Sequence, residues 1–81
     1  MRIPRDIDGK TMVNLLSKFG YKATRQTGSH IRLTSTASGE EQHVTIPLHN
    51  PLRVGTINSI LGDVAKYLNM SKEELIKRIL S

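Results

Sequence analysis

Two segments in which apolar and polar residues alternate constrain the fold of this chain more than any other feature. They run from His30 to about Ser35 and from Gln42 to Leu48, with an apolar side chain at every second position. A period of two is typical of β-strands that have one face in the core. The polar residues 36–41 between them predict a hairpin loop. One antiparallel register matches both apolar sets, and its pairs are Ile31 with Ile46 and Leu33 with Val44.

A further strand is expected just before this hairpin. Residues 21–26 also alternate, and the short loop Thr27-Gly28-Ser29 would join them to the strand that begins at His30. Gly28 suits a turn position with positive φ because it has no side chain. The segment from 21 to 35 is therefore predicted to be a tight hairpin.

The polar residues of these strands are predicted to form the outer face of the sheet. With the apolar set turned inward, His30 and Arg32 point outward, and the register places them opposite Pro47 and Thr45. Lys22 is expected on the same face, and Arg25 lies near the turn. The outer face would thus carry an imidazole at the start of a strand, among basic groups.

In the sequence, helices are predicted both before and after the strands. Asp8 is a credible N-cap for a helix from about Gly9 to Phe19, and Gly20 suits the position after its end. A 3.6-residue apolar spacing predicts a second helix from Gly55 to about Leu68. Ser71, with Glu three residues later, is the N-terminal signature of a third helix.

After an extended lead-in over residues 1–7, the expected order is α-β-β-β-α-α. The simplest packing places the helices on one face of a three-stranded antiparallel sheet, an α+β two-layer sandwich. A chain of 81 residues has room for one domain, residues 1–81. The last helix has an apolar edge that would close the core or, as a rival interpretation, contact a partner chain; its residues are Leu75, Ile76, Ile79 and Leu80.

Composition narrows the class of protein. The formal net charge is +5 and the pI is near 10.0, and a small basic domain often binds a polyanion, usually nucleic acid. The chain has no Cys, which excludes a disulfide scaffold and fits a reducing cytoplasm. No apolar run approaches the ~18–20 residues that span a bilayer, so no membrane association is predicted. With three aromatic side chains and no Trp, binding dominated by base stacking is disfavoured.

The motifs of several enzyme classes are missing. The sequence has no phosphate-binding Gly-rich loop, no dinucleotide fingerprint and no nucleophile elbow. No acidic pair has the spacing of a two-metal nuclease. A metal site built from the three His residues is disfavoured, because the register puts His43 at the far end of its strand from His30. Neither a metal nor another cofactor is predicted.

One chemistry remains feasible with so few groups. RNA carries its own nucleophile, the 2′-hydroxyl, and a single His can accept that proton or protonate the leaving 5′-oxygen. Arg and Lys side chains can bind the phosphate and stabilise developing charge. Here the candidates are Lys22, Arg25 and Arg32, although composition alone favours ordinary surface charge as the explanation for any one of them.

Three blocks in order resemble the HicA (YcfA-like) mRNA interferase family. They are Arg25-Gln26-Thr27-Gly28-Ser29-His30, Val44-Thr45-Ile46-Pro47-Leu48-His49 and Gly55-Thr56-Ile57-Asn58-Ser59-Ile60-Leu61. The resemblance extends from Lys10 to about Leu75. It implies a double-stranded-RNA-binding-domain-like fold and the toxin of a type II toxin–antitoxin pair that cleaves mRNA without a metal. It also implies His30 as the catalytic residue and a HicB-like antitoxin as the partner chain.

Around His30, the predicted substrate-binding residues are Gly28, Ser29, Lys22, Arg25 and Arg32. His49 also matches a position where the family often has His, but no role follows; the simpler interpretation is that it caps the turn before Pro51. Two other functions stay open: a non-catalytic RNA-binding module of the same fold, and a protein that only binds a partner chain. The retention of His30 beside Gly28 favours the ribonuclease, because a binder would not need an imidazole there.

Overall fold

In the part of the chain that the structure describes, three helices and three strands follow one another in the order predicted from the sequence. A computed structural model of the chain describes residues 7–49 and 51–80, and the predictions for residues 1–6, Asn50, Ser81 and the Leu80 side chain lie outside that part. The elements are α1 (Gly9–Ser17), β1 (Lys22–Thr27), β2 (His30–Ser35), β3 (Gln42–Pro47), α2 (Val54–Tyr67) and α3 (Lys72–Leu80). The α+β class and the order α-β-β-β-α-α are confirmed.

Local sequence signals account for the helix ends. The Asp8 carboxylate accepts a hydrogen bond of 2.7 Å from the Thr11 amide, which caps α1 as predicted. Helix α1 ends at Ser17, two residues before the predicted Phe19, and Gly20 follows with a φ of +87°. Ser71 caps α3 by accepting 3.1 Å from the Glu74 amide.

The strands form one antiparallel sheet in the order β1-β2-β3. Strands β2 and β3 pair in the register predicted from the alternation, with Ile31 opposite Ile46 and Leu33 opposite Val44. Leu33, Val44 and Ile46 are all buried. The agreement follows from the period of two, since a slip by one residue would move this whole apolar set to the solvent side.

Strand β1 departs from the predicted alternation. Its register against β2 shifts between Ala23, which lies opposite Leu33, and Arg25, which lies opposite Arg32. Thr24 is the extra residue of a β-bulge, so two residues of β1 face one residue of β2 there. The predicted alternation of residues 21–26 is therefore wrong at the bulge, which changes the parity of every later position and turns Arg25 to the outer face.

The core lies between the inner face of the sheet and the helices. Met12 and Leu16 of α1 are fully buried, and so is Leu33 of the central strand. Helix α2 supplies the longest buried stripe, which consists of Ile57, Ile60, Leu61, Val64 and Ala65. In α3, Leu75, Ile76 and Ile79 are buried in the same cluster. The last helix thus closes the core, as the first of the two interpretations of its apolar edge expected.

Candidate functional site

The turn between β1 and β2 determines where His30 stands. Gly28 and Ser29 alone connect the strands, and Thr27 and His30 form the first cross-strand pair. Gly28 has a φ of +58° and Ser29 does not have a positive φ, the pattern of a type II′ hairpin turn. A Cβ added at Gly28 would meet no atom within 4 Å. The glycine is therefore required for its backbone conformation and not for space.

A shallow concavity on the outer face of the sheet surrounds His30. Its lining residues come from all three strands and are Arg25, Thr27, His30, Arg32 and Thr45. His30 is exposed, as the alternation predicted, while Arg32 is half-buried in the middle of the sheet. Two guanidinium groups and one imidazole thus open onto one polar surface.

The two arginines of this concavity lie directly opposite each other. Arg25 on β1 pairs with Arg32 on β2, and like charges in facing positions destabilise a sheet. Within residues 7–49 and 51–80, neither guanidinium forms an ion pair with a carboxylate. The bulge at Thr24 creates this juxtaposition, since strict alternation would have turned Arg25 to the other face. An anion bound between the two side chains would relieve their repulsion.

Two other predicted site residues, Ser29 and Lys22, lie at opposite ends of the sheet. Ser29 is in the turn itself, and its carbonyl accepts a 2.6 Å hydrogen bond from the Leu48 amide. Lys22 shares the outer face with His30 but lies opposite Thr34, at the far end of the sheet. It does not line the concavity.

Sequence reasoning assigned no role to His49, whose imidazole lies beside that of His30. The ring centroids of His30 and His49 are 6.5 Å apart, with an angle of 63° between the ring planes. Both side chains are exposed. The predicted register places Pro47 opposite His30 and His49 two residues later, which indicates one end of the sheet for both histidines but gives no distance between their rings.

The turn after β3 is held through the His49 backbone. Its carbonyl accepts a 3.0 Å hydrogen bond from the Gly9 amide at the start of α1. With the described residues, the His49 ring makes no hydrogen bond. The turn before Pro51 includes Asn50, which lies outside the described residues, so the interpretation of His49 as its cap stays a prediction.

The third histidine, His43, belongs to a separate network of polar side chains. His43 lies opposite Thr34, at the other end of β3 from Pro47 and His30. Its Nδ1 is 2.8 Å from the Thr34 hydroxyl and its Nε2 is 2.8 Å from a Glu41 carboxylate oxygen. In the described part of the molecule, no group of three His, Asp or Glu side chains is arranged to hold a metal ion.

Fold and site together define a small α+β protein with a basic sheet face and two neighbouring exposed histidines. Residues 9–66 match the model of a family described as the HicA toxin of bacterial toxin–antitoxin systems. This match covers most of the chain, so the protein belongs to the HicA toxin family, and such a family implies an antitoxin partner. Neither the curated proteins nor the solved structures contain a match. None of the described helices is long and apolar enough to cross a bilayer.

Proposed function

We propose that this chain is a metal-independent endoribonuclease that cleaves mRNA with His30 as a catalytic acid or base. The observation that carries the proposal is the exposed imidazole in one concavity with two arginines that have no carboxylate partner among the described residues. In the toxin–antitoxin pair, the chain would be the component that degrades RNA in the cytoplasm. A HicB-like antitoxin would neutralise it.

The proposed reaction uses the nucleophile that RNA itself supplies. The 2′-oxygen forms a bond to phosphorus, the bond from phosphorus to the 5′-oxygen breaks, and the products carry a 2′,3′-cyclic phosphate and a 5′-hydroxyl. One proton leaves the 2′-hydroxyl and one is delivered to the departing 5′-oxygen. An imidazole can perform either transfer near neutral pH, and such a contribution is typically worth ~10²–10⁴ in rate.

Arg25 and Arg32 would hold the phosphate on which this reaction occurs. Each hydrogen bond to a charged group contributes about 1.5–3 kcal/mol, and guanidinium groups fit phosphate oxygens in pairs. Binding an anion would also remove the repulsion between the facing side chains. The same two groups would stabilise the additional negative charge of the transition state.

The described residues offer no alternative built on metal ligands. Their carboxylates and imidazoles form no group of three suited to a cation, and two-metal cleavage needs a cluster of such ligands. We therefore expect cleavage to continue in excess EDTA. Loss of activity in EDTA, with recovery on adding Mg²⁺ or Mn²⁺, would contradict the proposed mechanism.

The site is tested with purified protein and a defined mRNA transcript. His30→Ala should lower the cleavage rate by ~10²–10⁴, while RNA binding and the unfolding midpoint stay close to those of the parent. His43→Ala is the matched control, since it removes an exposed imidazole from the far end of the same sheet. If His30→Ala degrades the transcript at the parent rate, His30 is not the catalytic residue. If the parent binds RNA without cleaving it, the chain is a binding module.

A further inference from the structure

We propose that His30 and His49 act as a pair, one as the general base and the other as the general acid of RNA cleavage. This inference rests on the proposed function and adds a second catalytic residue to it. The observation behind it is the 6.5 Å separation of the two ring centroids on an exposed surface.

The backbone ties the two histidines to each other. Ser29, which precedes His30, accepts a 2.6 Å hydrogen bond from the amide of Leu48, which precedes His49. The two imidazoles are therefore carried by neighbouring residues of one hydrogen-bonded junction. Neither ring depends on the other for this placement, because no hydrogen bond joins the rings within the described chain.

Helix α1 supplies a second anchor for His49. The Gly9 amide donates a hydrogen bond of 3.0 Å to the His49 carbonyl oxygen. The backbones approach so closely that a Cβ on Gly9 would lie 2.3 Å from the Pro47 oxygen and 2.8 Å from the Leu48 Cα. His49 thus leaves the sheet along a path that is fixed on one side by the hairpin turn and on the other by the helix start. A freely moving surface residue would not need such contacts.

Two imidazoles match the proton requirements of the reaction better than one. The attacking 2′-oxygen and the departing 5′-oxygen lie on opposite sides of phosphorus in an in-line displacement, so a single ring cannot serve both at the same moment. A phosphate placed between two rings could be reached by each over a hydrogen bond of ordinary length, about 2.6–3.2 Å. One neutral ring takes the 2′-proton, and the other ring, protonated, donates its proton to the 5′-oxygen.

The neighbouring arginines fit this arrangement. Arg25 and Arg32 line one concavity with His30, so a phosphate bound to them would lie close to the His30 ring. His49 follows two residues after Pro47, which lies opposite His30, and its ring is next to the His30 ring although it does not itself line the concavity. The inferred substrate position is thus bounded by two guanidinium groups and two imidazoles.

The first test compares three histidine variants in single-turnover cleavage of one mapped site in a short RNA. His49→Gln, which keeps a polar side chain of similar length, should lower the rate about 10²-fold or more. His30→Ala should do the same. The control, His43→Gln, should stay within a few-fold of the parent. Because His49 is exposed and its recorded hydrogen bond uses only its backbone, the variant should fold, and an amide NMR spectrum checks this.

The second test separates catalysis from a merely structural effect. The scissile 5′-oxygen of the same RNA is replaced by sulfur, a leaving group that departs without being protonated. The variant that lacks the general acid should then recover most of its rate, and the variant that lacks the general base should remain slow. Recovery of one variant of the two supports the pair. Recovery of both or of neither overturns it.

A third measurement uses the parent protein and needs no variant. A 2′-deoxy analogue of the cleaved RNA should shift the imidazole NMR resonances of His30 and His49 together and leave that of His43 nearly unchanged. An unmoved His49 resonance overturns the inference. If the parent cleaves RNA and depends on His30, but His49→Gln cleaves at the parent rate, the pair is wrong and the proposed function stands. If the parent cleaves no RNA, the proposed function itself fails.

Discussion

Gly9 is the residue at which a single methyl group should disturb both stability and the site. In Gly9→Ala the new Cβ would lie 2.3 Å from the Pro47 carbonyl oxygen, whereas ordinary van der Waals contact begins near 3.4 Å. Both sides of this contact are backbone, so no side-chain rotation can relieve it. Helix α1 and the end of β3 must therefore move apart.

The expected change in the free energy of unfolding combines two destabilising effects and one stabilising effect. Overpacking typically costs ~1–3 kcal/mol, and separating the backbones breaks the hydrogen bond from Gly9 to His49, worth about 0.5–1.5 kcal/mol. The helical preference of Ala over Gly returns at most about 1 kcal/mol. A net destabilisation of roughly 1–3 kcal/mol results, and each kcal/mol lowers the melting temperature of a domain this size by about 4–8 °C.

The assay is equilibrium unfolding in urea, followed by circular dichroism, with Gly62→Ala as the matched control. Gly62 lies inside α2, and a Cβ there would meet no atom within 4 Å. The control should therefore gain about 0.5–1 kcal/mol, so the same substitution has opposite signs at the two positions. Cleavage by Gly9→Ala should also fall, because His49 moves away from His30. If Gly9→Ala unfolds at or above the parent midpoint, the contact between α1 and β3 does not constrain the structure as argued.

Three further predictions concern charge and pH. Burial, together with Tyr67 and Asp63, raises the pKa of Tyr21 to about 12 from 10.0. Because the pKa is higher in the folded state, stability should fall as pH rises from 10 towards 12. Tyr21→Phe should remove that slope in alkaline unfolding curves. Hydrogen bonds from Thr11 lower the pKa of Asp8 below 3.8. The ionised carboxylate therefore stabilises the fold above pH 3.8, and this stabilisation is lost as pH falls through the lower pKa of the folded state. Acid unfolding of Asp8→Asn should show a weaker pH dependence. Arg32→Glu should weaken the binding of both RNA and the co-expressed antitoxin more than Lys22→Glu does, and it should also reduce the salt dependence of that binding more. Equal losses of affinity for the two variants in a binding titration would contradict the role assigned to the concavity.

Much of the sheet could be predicted because its signals are local. The pairing of Ile31 with Ile46 was confirmed, since only one register buries both apolar sets. The outward position of His30 followed from the same pattern. Local caps were equally informative, as Asp8 and Ser71 begin the helices that they were expected to begin.

The candidate site was predicted only in part. His30 and Arg32 could be assigned to one face from the alternation alone. The position of Arg25 could not, because the bulge at Thr24 reverses the parity of β1 and no residue type there requires a bulge. Tertiary contacts among strands, and not the preferences of neighbouring residues, decide whether an extra residue is accommodated.

By itself, the sequence determined the elements, their order, the register of β2 with β3 and the basic character of the chain. These properties depend on periodicity, caps and charge, which act between residues close in sequence or within one repeating pattern. Only the tertiary structure brought His49 within 6.5 Å of His30 and seated Gly9 against the end of β3. Both depend on how segments distant in the chain pack against one another, and no local pattern records the distance at which two such segments meet.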